Sequence, residues 1–352
     1  MRKEAAVVAL GCAISAAIVL WSLSRTPPPP PPEPEESPER TEAPCPWWLT
    51  FEEEPIGCPS AVCQSLVWLL TRQNDDGTWG DGPVQLERRP LGKAGLTALA
   101  VLPFLGAGYT PLSKDVFPVD GGEWRTGDGI RKALAWLLRD QRDDGTFRSS
   151  ADETFDQVLG AFALSETYGM TRIDHLKRPA QLAVDALLRM QKADGTWEGA
   201  GPTGWAIVTL YSARASKLAV DSAAVERTLR SPGYPGHPGH ALARILRKDD
   251  ARDVAWSLLQ EGLDREPTNV AWWYLASLAV YAHDGPQGYF PDIRTGPQWT
   301  AWSPILKEKL VPFLFGSGTM AGTSSTDTIV RTSLLQLTME IYYRYPNLFR
   351  PQ

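Results

Sequence analysis

The chain repeats one seven-residue sequence three times, as Gln73-Asn-Asp-Asp-Gly-Thr-Trp79, Gln141-Arg-Asp-Asp-Gly-Thr-Phe147 and Gln191-Lys-Ala-Asp-Gly-Thr-Trp197. Each copy follows an apolar stretch with helical spacing and precedes another such stretch. A fixed sequence that recurs between helices is typical of a repeat architecture, in which each unit buries its apolar face on the next. The three copies therefore predict a fold of successive helical hairpins.

The repeated sequence has a structural role that its residue types explain. The Asp-Gly pair is typical of a tight turn, because glycine adopts a positive φ without steric cost. Such a turn ends one helix and starts the return. The glutamine is suited to hydrogen bonding with neighbouring backbone, and the aromatic residue is suited to packing over it. We assign this structural role to Gln73, Gly77, Trp79, Gln141, Gly145, Phe147, Gln191, Gly195 and Trp197.

Apolar periodicity divides the chain after Cys58 into six pairs of helices. The first helices of the pairs are predicted to begin near Ser60, Gly129, Pro179, Ala219, Ala251 and Ser303. Their partners are predicted at residues 92–105, 152–168, 202–213, 237–247, 268–282 and 326–345. Proline and glycine clusters separate the pairs, and the alternation typical of strands is scarce. The sequence predicts an all-α fold.

The pattern Gln-x-x-Asp-Gly-x-Trp/Phe after a helix resembles the QW repeat of squalene–hopene cyclases and of protein prenyltransferase β subunits. The stretch from Leu334 to Tyr345 also resembles the closing helix of bacterial proteins with such repeats. The resemblance covers residues 60–352 and implies an (α/α)6 toroid, with six outer and six inner helices around a central cavity. Leu314-Phe-Gly-Ser-Gly-Thr-Met320 is a degraded fourth copy, and the two hairpins within residues 219–282 lack the motif.

The catalytic motifs of these relatives are missing from the sequence. Class II terpene cyclases protonate an alkene with an Asp-x-Asp-Asp cluster; the nearest sequence here, Asp249-Asp-Ala-Arg-Asp253, is typical of a solvated helix start. Prenyltransferases hold zinc with Asp, Cys and His, but no cysteine follows Cys63. The Gly-Cys-Gly-Glu-Gln thioester of complement-type relatives is also missing. We therefore predict no cofactor and no metal site.

A ligand site is predicted where the inner helices begin. If the hairpins run as in the family, the inner helices begin at one rim, where their dipoles favour an anionic or polar ligand. Carboxylates and histidines there are suited to acid–base cleavage of a glycan, although ordinary helix capping is the stronger explanation of the carboxylates. The weak catalytic candidates are Asp152, Asp156, His237, His240 and Asp327. The candidates for lining a ligand cavity are Trp205, Asn269, Trp272, Trp273 and Arg331.

The N-terminal residues are predicted to form a membrane anchor. Residues 5–23 are almost wholly apolar, and a helix of this length spans ~28 Å, close to the ~30 Å of a bilayer core. Arg2 and Lys3 precede the apolar run and acidic residues follow it, so the positive-inside bias places the N-terminus in the cytoplasm. A signal peptide cut near Ala13-Ile-Ser-Ala16 is the alternative. We prefer the anchor, because that cut would leave Ile18-Val-Leu-Trp21 exposed.

Three domains follow from this pattern. Residues 1–24 form the anchor in the inner (cytoplasmic) membrane, and residues 25–46 form a disordered linker rich in proline and glutamate. Residues 47–352 form the toroid domain on the periplasmic side. In that oxidising compartment, two of Cys45, Cys58 and Cys63 could form a disulfide, and all three pairings are open.

Composition and motifs together limit the function. A net charge of −6 without a long basic run excludes the usual electrostatic footprint of nucleic-acid binding. The expected function is a non-catalytic binding or scaffold domain, with a central cavity for a lipid, an isoprenoid or a peptide. The alternative is a divergent terpenoid-type or glycan-active enzyme that uses the inner-helix rim.

Overall fold

The computed structural model describes residues 58–119, 122–286, 295–317 and 319–341. The predicted anchor, the predicted linker, Cys45 and the end of the last predicted helix lie outside these residues. The chain divides into two units, Met1–Ala43 and Pro44–Gln352, and every described residue belongs to the second. Within the described part of the chain, no helix has both the length and the apolar character needed to cross a membrane.

The described residues confirm an all-α fold, with twelve helices and four very short strands. In chain order the helices are α1 (Cys58–Thr71), α2 (Lys93–Gly106), α3 (Thr126–Asp140), α4 (Glu153–Thr171), α5 (Asp174–Arg189), α6 (Ala200–Ala215), α7 (Ser222–Arg230), α8 (Pro238–Arg247), α9 (Ala251–Asp264), α10 (Val270–Asp284), α11 (Pro297–Ser317) and α12 (Ser325–Met339).

The even-numbered helices form the core. Most residues of α2, α4, α6 and α10 are buried. The even-numbered helices contact one another in the order α2, α4, α6, α8, α10 and α12, and α12 contacts α2 again. We call these six the core helices and the odd-numbered ones the flanking helices. The flanking helices α3, α5 and α7 bury one face against the core helices and expose the other, which explains their amphipathic sequences.

Two helices begin earlier than the sequence predicts. The flanking helix α5 begins at Asp174, not near Pro179, and the acidic Asp174 is favoured at a helix start by the partial positive charge there. The flanking helix α11 begins at Pro297, not near Ser303. The Asp284 carboxylate causes this early start: it accepts the Gln298 and Trp299 backbone N–H groups, each at 2.9 Å.

Two short antiparallel hairpins interrupt the helices, and the sequence did not predict them. Strand β1 (Val84–Leu86) pairs with β2 (Arg89–Leu91), and β3 (Val116–Val119) pairs with β4 (Gly122–Arg125). Each strand has only three or four residues, too few to show an alternating pattern. The β1–β2 hairpin, residues 84–91, lies between α1 and α2, and we call it the rim hairpin.

The repeat glutamines join each turn to the next flanking helix. Every one donates its side-chain amide to the glycine carbonyl of its own turn and to a backbone carbonyl of the following flanking helix. These acceptor pairs are Gly77 and Gly129 for Gln73, Gly145 and Pro179 for Gln141, and Gly195 and Ala224 for Gln191, at 2.9–3.3 Å. The glutamines therefore hold successive hairpins in register.

The glycine and the aromatic residue of the repeat sequence also position each turn against its neighbouring helices. Gly195 has a φ of +87°, and a Cβ there would overlap the backbone of Arg227 on α7. Gly77 and Gly145 face α3 and α5 in the same way. The indole N–H of Trp79 donates to Leu69 O at 2.7 Å, and that of Trp197 donates to Leu187 O at 2.9 Å. Each tryptophan thereby ties the turn back to the preceding helix.

Candidate functional site

The rim hairpin contacts the starts of three core helices. Arg89 Nε pairs with the carboxylate of Asp152, which caps α4. Glu87 Oε1 lies 3.3 Å from Nε2 of His237, the N-cap residue of α8. The other oxygen, Oε2, lies against Gly201 in the first turn of α6, where a Cβ would overlap it. The hairpin therefore brings Glu87, His237 and Asp152 to one place, which we call the rim cluster.

The tip of the rim hairpin is strained. Glu87 has a φ of +51° and Arg88 a φ of +65°, so both adopt the left-handed conformation that favours glycine. These are the two central residues of a two-residue hairpin turn, which is normally Asn-Gly or Asp-Gly. A non-glycine residue in this region costs about 1–3 kcal/mol. The contacts of Glu87 and Arg89 with the core helices offset that cost.

The Glu87 carboxylate lies at a helix start, where a negative charge is favoured. The α6 helix begins after Gly199, which provides no side-chain cap, so the carboxylate lies where the partial positive charge of the helix start favours an anion. His237 Nδ1 accepts the Gly239 N–H at 3.1 Å, so the neutral ring carries its proton on Nε2 and donates it to Glu87. Glu87 Oε2 is buried and has no hydrogen-bond partner among the described residues.

Asp152 and Asp156 hold the starts of α2 and α4 together. Asp152 accepts the Phe155 N–H at 3.0 Å as the cap of α4. The carboxylate of Asp156 is 0% exposed and accepts N–H groups from Ala151 (2.7 Å), Gly92 (3.0 Å) and the Asp152 backbone (3.2 Å). Burial raises the pKa of Asp156 to about 6, against the opposing effect of these N–H groups. Both carboxylates are engaged by backbone.

Asp327 and Arg331 form a second network, at the start of α12. The Asp327 carboxylate accepts the Thr323 N–H at 2.8 Å and Arg331 Nε at 3.1 Å. Burial alone would raise the pKa of Asp327, but these donors outweigh it and hold the pKa below its ordinary value. Thr326 links this helix start to Asp81, in the segment before the rim hairpin, at 3.4 Å. This network caps a helix.

His240 lies one turn into α8 and faces the loop before it. A Cβ on Gly233 would overlap its ring, and burial together with Arg244 lowers the pKa of His240. A cavity of about 10 Å³ between α6, α7 and α8 is lined by His237 and His240 among others. That volume holds roughly one water molecule. The two histidines thus line one small cavity.

The predicted cavity residues separate into two groups. Trp205 stacks on Tyr274 with ring centroids 4.9 Å apart, which places it between the core helices α6 and α10. Trp272 and Trp273 instead contact Trp302 of the flanking helix α11, at 6.1 and 5.4 Å. Asn269 is exposed before α10, and its side chain does not cap the helix. Trp205 therefore lies between two core helices, whereas Trp272 and Trp273 contact a flanking helix.

The described residues contain no group of three or more His, Cys, Asp or Glu side chains that could hold a metal ion. Comparison of the chain with protein-family models and with curated proteins found no match.

Glu87 is the functional candidate that the sequence did not reveal. It lies in the long connection between α1 and α2, far along the chain from His237, and only the folded structure brings the two together. One signal was available in the sequence. Connections longer than a short turn are often functional, and this one contains the charged run Glu87-Arg88-Arg89.

Proposed function

We propose that this protein is a membrane-anchored, periplasmic (α/α)6 toroid that serves as a non-catalytic binding or scaffold domain for a lipid, an isoprenoid or a peptide. The toroid is supported by the succession of contacts among the core helices, which returns from α12 to α2. The three copies of the repeat sequence support it as well, because each joins one helical hairpin to the next. The anchor and its orientation rest on the charge pattern of residues 1–46.

The non-catalytic role rests on the use that the fold makes of its acidic residues. Asp152, Asp156 and Asp327 accept backbone N–H groups at helix starts. A general acid or base must instead exchange a proton with a substrate within hydrogen-bond reach. Carboxylates that are committed to helix starts stabilise the fold, which is the role expected of them in a scaffold.

The ligand is proposed to bind among the core helices, next to the Trp205–Tyr274 stack. Trp205 is 0% exposed, and its indole N–H has no hydrogen-bond partner among the described residues. A buried donor of this kind favours a ligand with one acceptor on an otherwise apolar body. A lipid, an isoprenoid alcohol or a peptide meets that description.

A second function, an enzyme that acts at the rim, is favoured by the contact between Glu87 and His237. A carboxylate and an imidazole 3.3 Å apart form an acid–base pair, and Glu87 Oε2 has no hydrogen-bond partner among the described residues. The strain at Glu87 is of the kind that accompanies functional sites. Under this proposal the substrate is a terpenoid or a glycan.

The test is native mass spectrometry of the full-length protein, purified in detergent from bacterial membranes, with identification of copurifying molecules. We expect a defined lipid, isoprenoid or peptide adduct. The adduct should be lost in Trp205→Phe and kept in Trp256→Phe, whose parent side chain is 37% exposed. An unliganded mass after incubation with lipid, isoprenoid and peptide mixtures would contradict the binding proposal. Turnover of a terpenoid or glycan that Glu87→Gln abolishes would support the enzyme instead.

A further inference from the structure

A groove of about 300 Å³ lies on the surface at the second repeat turn, between the turn itself, the start of α4 and the end of α5. Its lining includes Arg142, Phe147, Ser150, Glu153, Gln157 and Met190. We call it the second-repeat groove. It lies outside the Trp205–Tyr274 stack, so it is separate from the ligand position proposed above.

Two polar side chains of the groove are held in place before any ligand arrives. Gln157 is 1% exposed, and its side-chain amide donates to Gly145 O at 3.0 Å and to Ala183 O at 2.9 Å. These two bonds fix the direction of the amide, and therefore that of its oxygen. Arg142 Nη1 donates to Thr146 Oγ1 at 3.2 Å and to Phe147 O at 2.8 Å. Fixed side chains lower the entropic cost of binding.

The groove combines donors and acceptors without a strong excess of one charge. Arg142 and the Ser150 hydroxyl donate, whereas Glu153, Asp144 and the Gln157 oxygen accept. One guanidinium beside two carboxylates is unfavourable for a phosphate or a sulfate. Met190 adds apolar surface, and Phe147, which is 1% exposed, also borders the groove. A neutral ring that has several hydroxyl groups and an apolar face fits this lining.

The groove also distinguishes the second repeat from the other two. Where the first and third copies have tryptophan, the second has Phe147, a smaller ring that packs against Gly160 of α4. Lys192, in the position that corresponds to Arg142, pairs with Glu198 at 2.7 Å. Lys192 of the third copy therefore forms a surface ion pair. Arg142 of the second copy instead hydrogen-bonds within the turn that borders the groove.

We propose that the second-repeat groove binds one or two sugar units of a glycan. Arg142, Ser150, Glu153 and Gln157 would hydrogen-bond the hydroxyl groups, and the apolar face of the sugar ring would pack against Met190. The volume of about 300 Å³ is within the lower range of small-molecule sites. This surface is open to a polymer, since the groove borders solvent at Arg142 and Glu153, both of which are exposed.

The experiment is titration calorimetry of the full-length protein in detergent with maltose, cellobiose and N,N′-diacetylchitobiose. We expect at least one disaccharide to bind with a Kd below ~10 mM, and Glu153→Ala to weaken it by roughly tenfold. Glu153 is exposed, and the α4 cap is Asp152, so this variant should keep its fold. Lys192→Ala, which changes the third-repeat residue that corresponds to Arg142, lies outside the groove and should leave the Kd unchanged.

Gln157→Leu provides a second variant, which should abolish sugar binding by removing the fixed amide. If it unfolds the protein, Glu153→Ala still decides the matter. Binding should persist in Trp205→Phe, because the groove is separate from the stack inside the core helices. The proposal is overturned if none of the three disaccharides binds, or if Glu153→Ala binds the sugar as tightly as the unaltered protein does.

Discussion

The two halves of the described chain join their helical hairpins with different chemistry. In residues 58–230, which carry the repeat sequence, glutamine amides donate to backbone carbonyls of the next flanking helix. Residues 231–341 have only the degraded copy. There the Asp284 carboxylate of α10 accepts backbone N–H groups at the start of α11. Trp302 of α11 also donates to Ser277 of α10 at 2.9 Å. Carboxylates also satisfy free N–H groups at helix starts in the repeat-bearing half, as Asp152 and Asp156 do, so the glutamine amides are what that half adds.

The repeat sequence is therefore one way of joining successive helical hairpins. The same packing of hairpins continues where that sequence is missing. The core helices alternate with flanking helices in both halves. A short, recurrent motif is conspicuous in a sequence, whereas a single aspartate and a tryptophan cluster are not. The following predictions compare the two halves directly, beginning with the largest expected effect.

Replacing a turn glycine should show the largest difference in the free energy of unfolding between the two halves. In Gly195→Ala the new Cβ would overlap the backbone of Arg227, and φ is +87°. Strain and overlap together should lower the free energy of unfolding by about 4 kcal/mol. In the other half, Gly236 has a φ of +84° but no atom within 4 Å of a new Cβ, so Gly236→Ala should cost only about 1 kcal/mol. Urea unfolding measures both values.

Equal losses for the two glycine variants would contradict this account. They would mean that the positive φ alone accounts for the motif glycine, and that the close approach of the turn to α7 contributes nothing. A loss at Gly195 with no loss of cooperativity would further indicate that the two halves unfold together.

The pH dependence of the free energy of unfolding should report on Asp156, which joins the starts of α2 and α4 in the half that carries the repeats. Burial raises the pKa of Asp156 from 3.8 to about 6, so the folded state holds this proton more tightly than the unfolded chain does. The stabilising contribution is complete below about pH 4 and is lost as the pH rises through about 6. The full change is about 3 kcal/mol at 1.36 kcal/mol per pKa unit.

The control for Asp156 is Asp156→Asn, measured by urea unfolding at several values between pH 4 and pH 7. Other carboxylates titrate over the same range in both proteins, so the difference between the two pH profiles isolates Asp156. The profile of Asp156→Asn should fall less steeply with rising pH. Identical slopes would show that Asp156 titrates alike in the folded and unfolded chains.

The sequence predicted the helices well and the rim poorly, for physical reasons. Helical periodicity extends over many residues, so the alternation of flanking and core helices can be read without a structure. The strands of the rim hairpin are too short to show a period. The contact between Glu87 and His237 joins residues that are 150 positions apart, which no local pattern encodes. The early start of α11 depends on Asp284, a residue of a different helix.

The smallest effect concerns the glutamines and tests whether the repeat copies are equivalent. Gln73 Nε2 donates to Gly77 O at 3.0 Å, so Gln73→Leu removes the side-chain donor to that turn carbonyl and should cost about 2 kcal/mol. Gly145 O accepts from both Gln141 at 3.3 Å and Gln157 at 3.0 Å. Because Gln157 remains, Gln141→Leu should cost only about 1 kcal/mol.

A double variant shows whether Gln157 supports the second turn. If the two glutamines share the Gly145 carbonyl, combining Gln141→Leu with Gln157→Leu should cost more than the sum of the single losses, because only the double variant leaves that carbonyl without a side-chain donor. Additive losses would mean that Gln157 acts mainly through Ala183 O on α5, to which it also donates. In the first case the second turn has a shared hydrogen bond that the first turn lacks at Gly77.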